Sequence, residues 1–401
     1  MSELKPIFNA LWRSKTGALL LIVQIAVTLA IVSNAAFIIH DRVSFLNQDT
    51  GLEAENLFRF NLYTFGKNVD IAKQQEIDET LLRAIPGVAD AVVINQVPLS
   101  GSGDSTNFHL KPTPQQSRGA RAAFFMADEN LLNTLGVKLE DGRNFEAADV
   151  VYSQGFDKTA NVLLATRSYV NELFPDGDGL GQTIYLGDNP FKIIGIIAPM
   201  KGPWLDDEQA DNVALIPQVM AAPFKRVLIR TESGRRGEVM QQVEKVLLAS
   251  ESERVVSRIT GVDKLLLEQT SQDRLMKNML LVLITVLLLV TALGICGLAL
   301  FNVGRRTRQI GTRRALGAKK SDIVRYFLLE NTLVSLIGIV LGVGLALAMS
   351  DVLMRHYSLP RLDNWFILYS LAGIYLMGVL AVYWPAQRAT LISPSIATRS
   401  V

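Results

Sequence analysis

The sequence predicts a membrane protein of four transmembrane α-helices plus a large α+β extracytoplasmic domain of two subdomains on helical stalks. Two observations predict it. Stretches at 16–39, 278–304, 326–350 and 365–384 carry no charge except Glu330. Each is long enough, at about 1.5 Å per residue, to cross a roughly 30 Å hydrocarbon core. Between the first two, the chain alternates short strand-like and helix-like runs punctuated by Gly, Pro and Asn. With 49% hydrophobic and 19% charged residues over 401, the composition is too apolar for a plain soluble enzyme.

The expected organisation is an interfacial helix at 1–15 and transmembrane helices at 16–39, 278–303, 326–350 and 365–386. The α+β domain with its stalk occupies 40–277, a connecting loop and helix 304–325, a short loop 351–364 and a tail 387–401. At the start, Leu4, Ile7, Phe8, Leu11 and Trp12 fall at helical spacing with Lys5, Asn9 and Arg13 off the stripe, as in a helix lying in the membrane interface. The first span is too long for a secretion-signal core, and no small-x-small pattern closes it before His40-Asp41-Arg42, so it reads as a retained anchor.

Orientation follows from the basic residues beside the spans. Segment 305–325 holds eight Lys/Arg against the single acid Asp322, whereas 351–364 holds Arg355 and Arg361 opposed by Asp351 and Asp363. Both termini and the basic loop are therefore expected in the cytoplasm, and 40–277 in the periplasm of a bacterial inner-membrane, multi-pass protein. The net charge of +2 is concentrated in that loop, where topology explains it, so no nucleic-acid partner is expected. The lone cysteine, Cys296, lies in the second span, leaving the outer domain without a disulfide.

In the outer domain, 56–63 reads as a strand, 71–84 as an amphipathic helix and 88–95 as a second strand, a βαβ-type unit. Strands follow at 122–126, 162–165, 183–186, 192–197, 213–216 and 226–230, with helices at 131–135, 168–174 and 237–249. Segments 100–119 and 200–211 read as loops. From Asp263 to Val303 no Gly before Gly294 and no Pro interrupts the helical pattern. A single helix over that length would run about 60 Å and stand about 25–30 Å proud of the membrane as a stalk.

The inventory excludes most catalysis. The outer domain has one histidine, His109, and no cysteine, so a Ser-His-Asp triad or a His-rich metal centre lacks material; no catalytic, cofactor-binding or metal-binding residue is expected. Asp206-Asp207-Glu208 reads as a solvated loop. Gly-x-x-x-x-Gly-Lys-[Ser/Thr] occurs nowhere, so these residues do not cradle nucleotide phosphates in the P-loop manner. Gln24, Asn34, Glu330 and Asn331 inside spans read as partners in helix–helix hydrogen bonding, and Gly338, Gly342 and Gly344 as sites of close helix approach.

The segment after the second span carries the chemistry of interest. It runs from a basic helix end through Ile310, Gly311, Arg313, Arg314, Ala315 and Leu316 to a stop at Gly317-Ala318. A new helix then begins after Lys319 with Ser321 as N-cap and Asp322 at its positive end. These residues, with Trp384-Pro385-Ala386-Gln387-Arg388-Ala389 and Pro394 at the far end, resemble the MacB/FtsX-type ABC permease family, also called type VII or mechanotransmission systems. Leu135-Gly136, Gly142-Arg143-Asn144-Phe145, Leu180-Gly181-Gln182-Thr183-Ile184 and Ile194-Gly195-Ile196-Ile197 extend the resemblance through the outer domain. Gln309 departs from the family's usual Glu.

The resemblance implies a non-catalytic permease subunit without a fused ATPase domain. Its partner would be a cytoplasmic ABC ATPase, holding ATP and Mg, that docks on the residues just named from Ile310 to Asp322. It further implies a homo- or heterodimer with a second permease in the lipid bilayer, a periplasmic adaptor and an outer-membrane channel. The implied activity is tripartite efflux of an antibiotic, peptide or toxin. Lipoprotein extraction of the Lol kind and an FtsX-like regulator of cell-wall hydrolysis share the same plan.

Overall fold

The first helix is set by the longest run of branched and small apolar residues before any acid. The structure, a computed structural model, describes residues 15–66, 69–113, 117–153, 158–357 and 361–392. The interfacial helix expected at 1–15 and the match at Pro394 lie outside the described residues. Helix α1 (Lys15–Leu46) overruns its charge-free stretch. Residues 1–47 and 272–401 form one unit and 48–271 another, the head.

The head begins with β1 (Leu57–Thr64), α2 (Ile71–Arg83) and β2 (Val88–Ile94). Asp70 caps α2 by accepting the N–H groups of Ala72 and Lys73 at 3.2 Å each. There follow β3 (Ser105–His109), β4 (Gly119–Ala127), α3 (Leu131–Leu135), β5 (Leu139–Gly142), β6 (Val151–Ser153), β7 (Val162–Thr166) and α4 (Arg167–Leu173). The rest is β8 (Thr183–Leu186), β9 (Asn189–Ile197), β10 (Val213–Met220), β11 (Phe224–Thr231), α5 (Arg236–Ser250), β12 (Arg254–Gly261) and α6 (Val262–Gln269).

Two sheets result. The four-stranded sheet runs β12-β1-β11-β2, every pair antiparallel. The expected βαβ unit is thus split, because β11 inserts between β1 and β2; with α5 it forms a second, matching unit, the ferredoxin-like arrangement. Phe58, Phe60 and Leu62 alternate inward from β1 onto Leu82 of α2 and Val239, Val243 and Leu247 of α5. In the other subdomain β4-β3-β8-β9-β7-β10 closes on itself through the β10–β4 pairing, with β5 on β9 and β6 on β10. Its interior is filled by Phe108, Tyr169, Phe191, Ile193 and Ile196 rather than left as a channel. Tyr169 is fully enclosed and donates to Ala120 O at 3.3 Å, and burial holds its hydroxyl above the usual phenol range.

Several expectations are corrected. The loop expected at 100–119 contains β3, which pairs with β4 from Ser105↔Ala123 to His109↔Gly119; with Ser105, Thr106 and Asn107 in succession, only Phe108 is apolar, and no period-two pattern marks the strand. Strands β5, β6 and β12 were too short or too charged to register as period-two runs. The helix expected over 263–303 is two helices, α6 and α7 (Ser271–Arg305), because Thr270 leaves helical geometry at φ −91°, ψ 8° and its hydroxyl donates to Leu266 O. A β-branched residue able to bond the preceding turn ends a helix without Gly or Pro.

Three further helices complete the first unit: α8 (Thr307–Ala315), α9 (Lys320–Tyr357) and α10 (Asn364–Ala389). α1, α7, α9 and α10 are each long and apolar enough to cross a membrane. Of the four, α1 is the most enclosed, with Ala18, Leu21, Ile25 and Leu29 forming one stripe against Val334, Ile339 and Ile374. Gly338 and Gly342 of α9 make that approach possible. A Cβ on Gly338 would stand 2.9 Å from Ile25 Cβ, and one on Gly342 3.0 Å from Ala26 O and from Leu29 Cβ. Gly344 faces open space, so only two of the three expected glycines serve packing. Beyond the apolar stretches α1 and α7 are joined by Arg42, which donates to Asp273 at 3.1 Å.

Gly342→Leu should cost about 1–3 kcal/mol of stability by overpacking, read as a lowered melting temperature of the detergent-solubilised protein, while Gly344→Ala leaves the melt unchanged.

In the head, Arg83 bridges Asp90 (3.1 Å), Asp128 (2.9 Å) and Ala91 O (2.7 Å), tying α2 and β2 to the end of β4. Burial, with the neighbouring Asp128 charge, pushes the Glu79 carboxyl up to about 8, against the opposing pull of the Val93 N–H and Arg83. The folded state therefore holds a proton that the unfolded chain releases near its ordinary value. Stability from this group is complete below the unfolded value and is lost as pH rises through about 8. Melting temperature measured across that window should fall with rising pH, and Glu79→Gln should flatten the slope.

Candidate coupling site between the second and third spans

The chain leaves α7 at Arg306, whose φ of −105° and ψ of 13° break the helix before α8 begins. Arg306 then turns back to α9. Its Nη1 and Nη2 donate to Glu330 Oε2 and Oε1 at 2.7 and 3.0 Å, and Nη1 also donates to Tyr326 Oη at 3.2 Å. Glu330 is only 4% exposed. A carboxylate buried about one turn inside the apolar stretch of α9 requires such a partner, and the guanidinium fork supplies it in bidentate form. Arg313 also stacks on Tyr326, its guanidinium carbon 4.8 Å from the ring centroid.

α8 has two faces. Inward, Ile310 joins the buried cluster of Ile323, Phe327, Ala386 and Ala389, beside buried Gly311. Arg314 Nη1 donates to Thr390 O at 2.7 Å and to Ile392 O at 3.1 Å, which pins α8 to the last turn of α10. Outward lie Arg308, Gln309, Thr312, Arg313 and Ala315, and at the tip Leu316, 83% exposed.

The stop is a Schellman motif. Gly317 N–H donates to Arg314 O and Ala318 N–H to Arg313 O, each at 3.1 Å, with Gly317 at φ +95°, which a side chain would strain. The next start differs from expectation. Ser321 is not the N-cap: α9 begins at Lys320, so Ser321 sits inside the first turn. The cap position falls to Lys319, whose N–H donates to Asp322 Oδ2 at 2.9 Å, the half of a capping box that an acid at the third helical position provides. Lys319, Ser321 and Asp322 are all exposed.

The residues singled out by sequence therefore divide. Ile310, Gly311 and Arg314 anchor the helix; Arg313, Ala315, Leu316, Lys319, Ser321 and Asp322 are presented outward; Gly317 and Ala318 shape the turn. Arg306, Tyr326 and Glu330 were missed as a group. The signal was a lone acid one turn inside a span, following a basic helix end. Among the described residues no cluster of His, Cys, Asp and Glu suits a metal ion.

Removing one partner of the buried pair, as in Glu330→Leu or Arg306→Met, should cost about 3–5 kcal/mol, whereas the double change Arg306→Met with Glu330→Leu should recover most of it. A double-mutant cycle on melting temperature reads this directly.

Residues 19–246 match the MacB-like periplasmic core domain and residues 281–394 the FtsX-like permease C-terminal domain. The chain is 26% identical over 297 residues to the macrolide export ATP-binding/permease protein MacB of Chromobacterium violaceum, covering 70% of this chain and 45% of that protein. It is 28% identical over 233 residues to the pyoverdine export ATP-binding/permease protein PvdT of Pseudomonas fluorescens, covering 55% and 35%. It thus spans less than half the length of these relatives. Among solved structures it is similar to the periplasmic region of MacB from Actinobacillus actinomycetemcomitans, at 13% identity and a TM-score of 0.33 over 57% of this chain and 98% of that one. With one of these domains matching more than half of its length, the chain belongs to the MacB/FtsX-type permease family.

Proposed function

We propose that this chain is the permease subunit of an ABC transporter in a bacterial inner membrane, exporting an antibiotic, peptide or toxin through its periplasmic partners. The observation that carries the reading is the outward face of α8. Leu316 stands 83% exposed at the tip of a short helix, beside the exposed cations Arg313, Lys319 and Lys320. A lone large apolar side chain held out by an anchored helix fits a pocket on a docking protein. The excess of Lys/Arg between α7 and α9 favours a cytoplasmic face for it.

The docking protein is a cytoplasmic ABC ATPase, which holds ATP and Mg; these 401 residues carry no P-loop. Movement of the ATPase would be felt at α8 and passed to α7 and α9 by the Arg306–Glu330 fork and to α10 by Arg314, because a buried bidentate pair and two carbonyl bonds leave α8 little freedom to slip. A second permease completes a homo- or heterodimer in the bilayer, and a periplasmic adaptor with an outer-membrane channel carries the cargo onward. The export named for both relatives supports this reading.

Leu316→Asp combined with Lys319→Glu alters only exposed side chains between α8 and α9, sparing the Arg314 anchor and the Arg313–Tyr326 stack. The tagged variant should insert and melt like wild type, yet lose most of the P-loop ATPase that co-purifies in mild detergent. Unchanged co-purification and ATP turnover would refute the docking role.

A further inference from the structure

The ferredoxin-like sheet presents two faces, and the one turned away from α2 and α5 gathers positive charge. Period-two alternation puts Arg59, Asn61 and Tyr63 of β1 on that face, and the register Asn61↔Arg226 and Tyr63↔Phe224 adds two residues of β11 beside them. The β1–β12 pairing shifts register between Arg59 and Asn61. At that bulge stands Arg258 with φ +54°, a left-handed conformation rare for a residue other than Gly, Asn or Asp. Arg258 is exposed, and among the described residues no hydrogen bond or ion pair is formed by its guanidinium.

Arg59 is half-buried. Its Nη1 donates to Asn61 Oδ1 at 3.0 Å, and its Nε is shielded from solvent without a hydrogen-bond partner. Arg226 donates to Asn95 O at 2.6 Å and lies 5.1 Å over the Phe224 ring, which in turn packs 4.8 Å from Tyr63. Burial and the charges of Arg258 and Arg226 lower the proton affinity of Arg59, and Glu268 alone opposes them. Around Arg59, therefore, two further guanidinium groups stand against one carboxylate, beside the rings of Tyr63 and Phe224.

We propose that Arg59, Arg226 and Arg258 form a receptor in the head for an anionic group, a carboxylate or phosphate, on a ligand whose apolar body rests on Tyr63 and Phe224. The free fork of Arg258 supplies the exposed donors and Arg59 a second charge behind a shielded Nε–H, and the Tyr63 and Phe224 rings, inclined at 43°, give an angled apolar wall. The site goes beyond the transport reading and does not depend on an ATPase, so binding tests it alone.

The full chain in phosphatidylcholine nanodiscs is titrated calorimetrically with 2-naphthoate, an aromatic carboxylate, and with 2-naphthamide, the same ring without charge. Saturable binding of naphthoate is expected, weakened at least about tenfold by Arg59→Gln with Arg258→Gln and less by the Lys pair, which keeps the charges without the fork, with naphthamide at least about tenfold weaker on wild type. Displacement by inorganic phosphate supports a soluble anion as the natural occupant; displacement on adding phosphatidylglycerol to the disc supports a lipid headgroup. Wild type that binds naphthamide as tightly as naphthoate overturns the proposal, whatever the variants do. Equal naphthoate binding by wild type and the Gln pair, at matched melting temperatures, overturns it as well.

Discussion

Hydrocarbon offers no hydrogen bonds, and most of the first unit's architecture answers that constraint. The backbone meets it by forming four long helices. Several polar side chains within them meet it by finding protein, although Asn331, expected to bond between helices, keeps its Nδ2 buried without a hydrogen-bond partner. Thr28 and Thr291 lie 2.8 Å apart between α1 and α7, and Gln24 reaches the same hydroxyl at 3.5 Å. Asn34 donates to Ala346 O across to α9 at 3.1 Å, and Leu362 N–H donates to Ser350 Oγ at 3.2 Å near the start of α10. Such bonds contribute about 1 kcal/mol each in a bilayer, so their main effect is to choose which faces meet.

Glu330 is the extreme case of the same constraint. Alone it would carry a charge into an apolar helix; paired in bidentate form with Arg306 it sets the turn that launches α8. The net stability of a buried pair is small once desolvation is counted, but a two-point fork tolerates only one relative placement of its helices. The geometry of α8, and so the direction in which Leu316 projects, follows from this charge pair together with the anchors Ile310 and Arg314 on α8 itself.

The head solves a different problem, that of building a core without disulfides. It does so twice, once as a sheet covered on one face by two helices and once as a sheet closed around Tyr169, Phe108 and Phe191. The ferredoxin-like subdomain is assembled from both ends of the head, with β1 and β12 adjacent. Both chain crossings, after Asn47 and at Ser271, therefore lead into the same subdomain, and the closed sheet is an insertion between β2 and β11.

Local pattern was enough for much of this. The four apolar stretches, the strand at 56–63, the helix at 71–84 and the stop at Gly317 could each be read from neighbours within one or two turns, because length, periodicity and a glycine's freedom at positive φ are local properties. What the sequence by itself determined was the membrane class, the number of spans, the α+β character of the head and the place of the short helix. The tertiary structure alone decided which strands pair, that β11 splits the first βαβ unit, that β3 is a strand despite Ser105, Thr106 and Asn107 in succession, and that Thr270 divides the expected long helix. It also decided that Glu330 belongs with Arg306, 24 residues away, and that Arg59 and Arg226 share one face with Arg258 at the neighbouring bulge. Apart from the break at Thr270, which rests on a local bond to Leu266 O, these depend on contacts between segments distant in the chain, and such contacts leave no periodic trace in either partner.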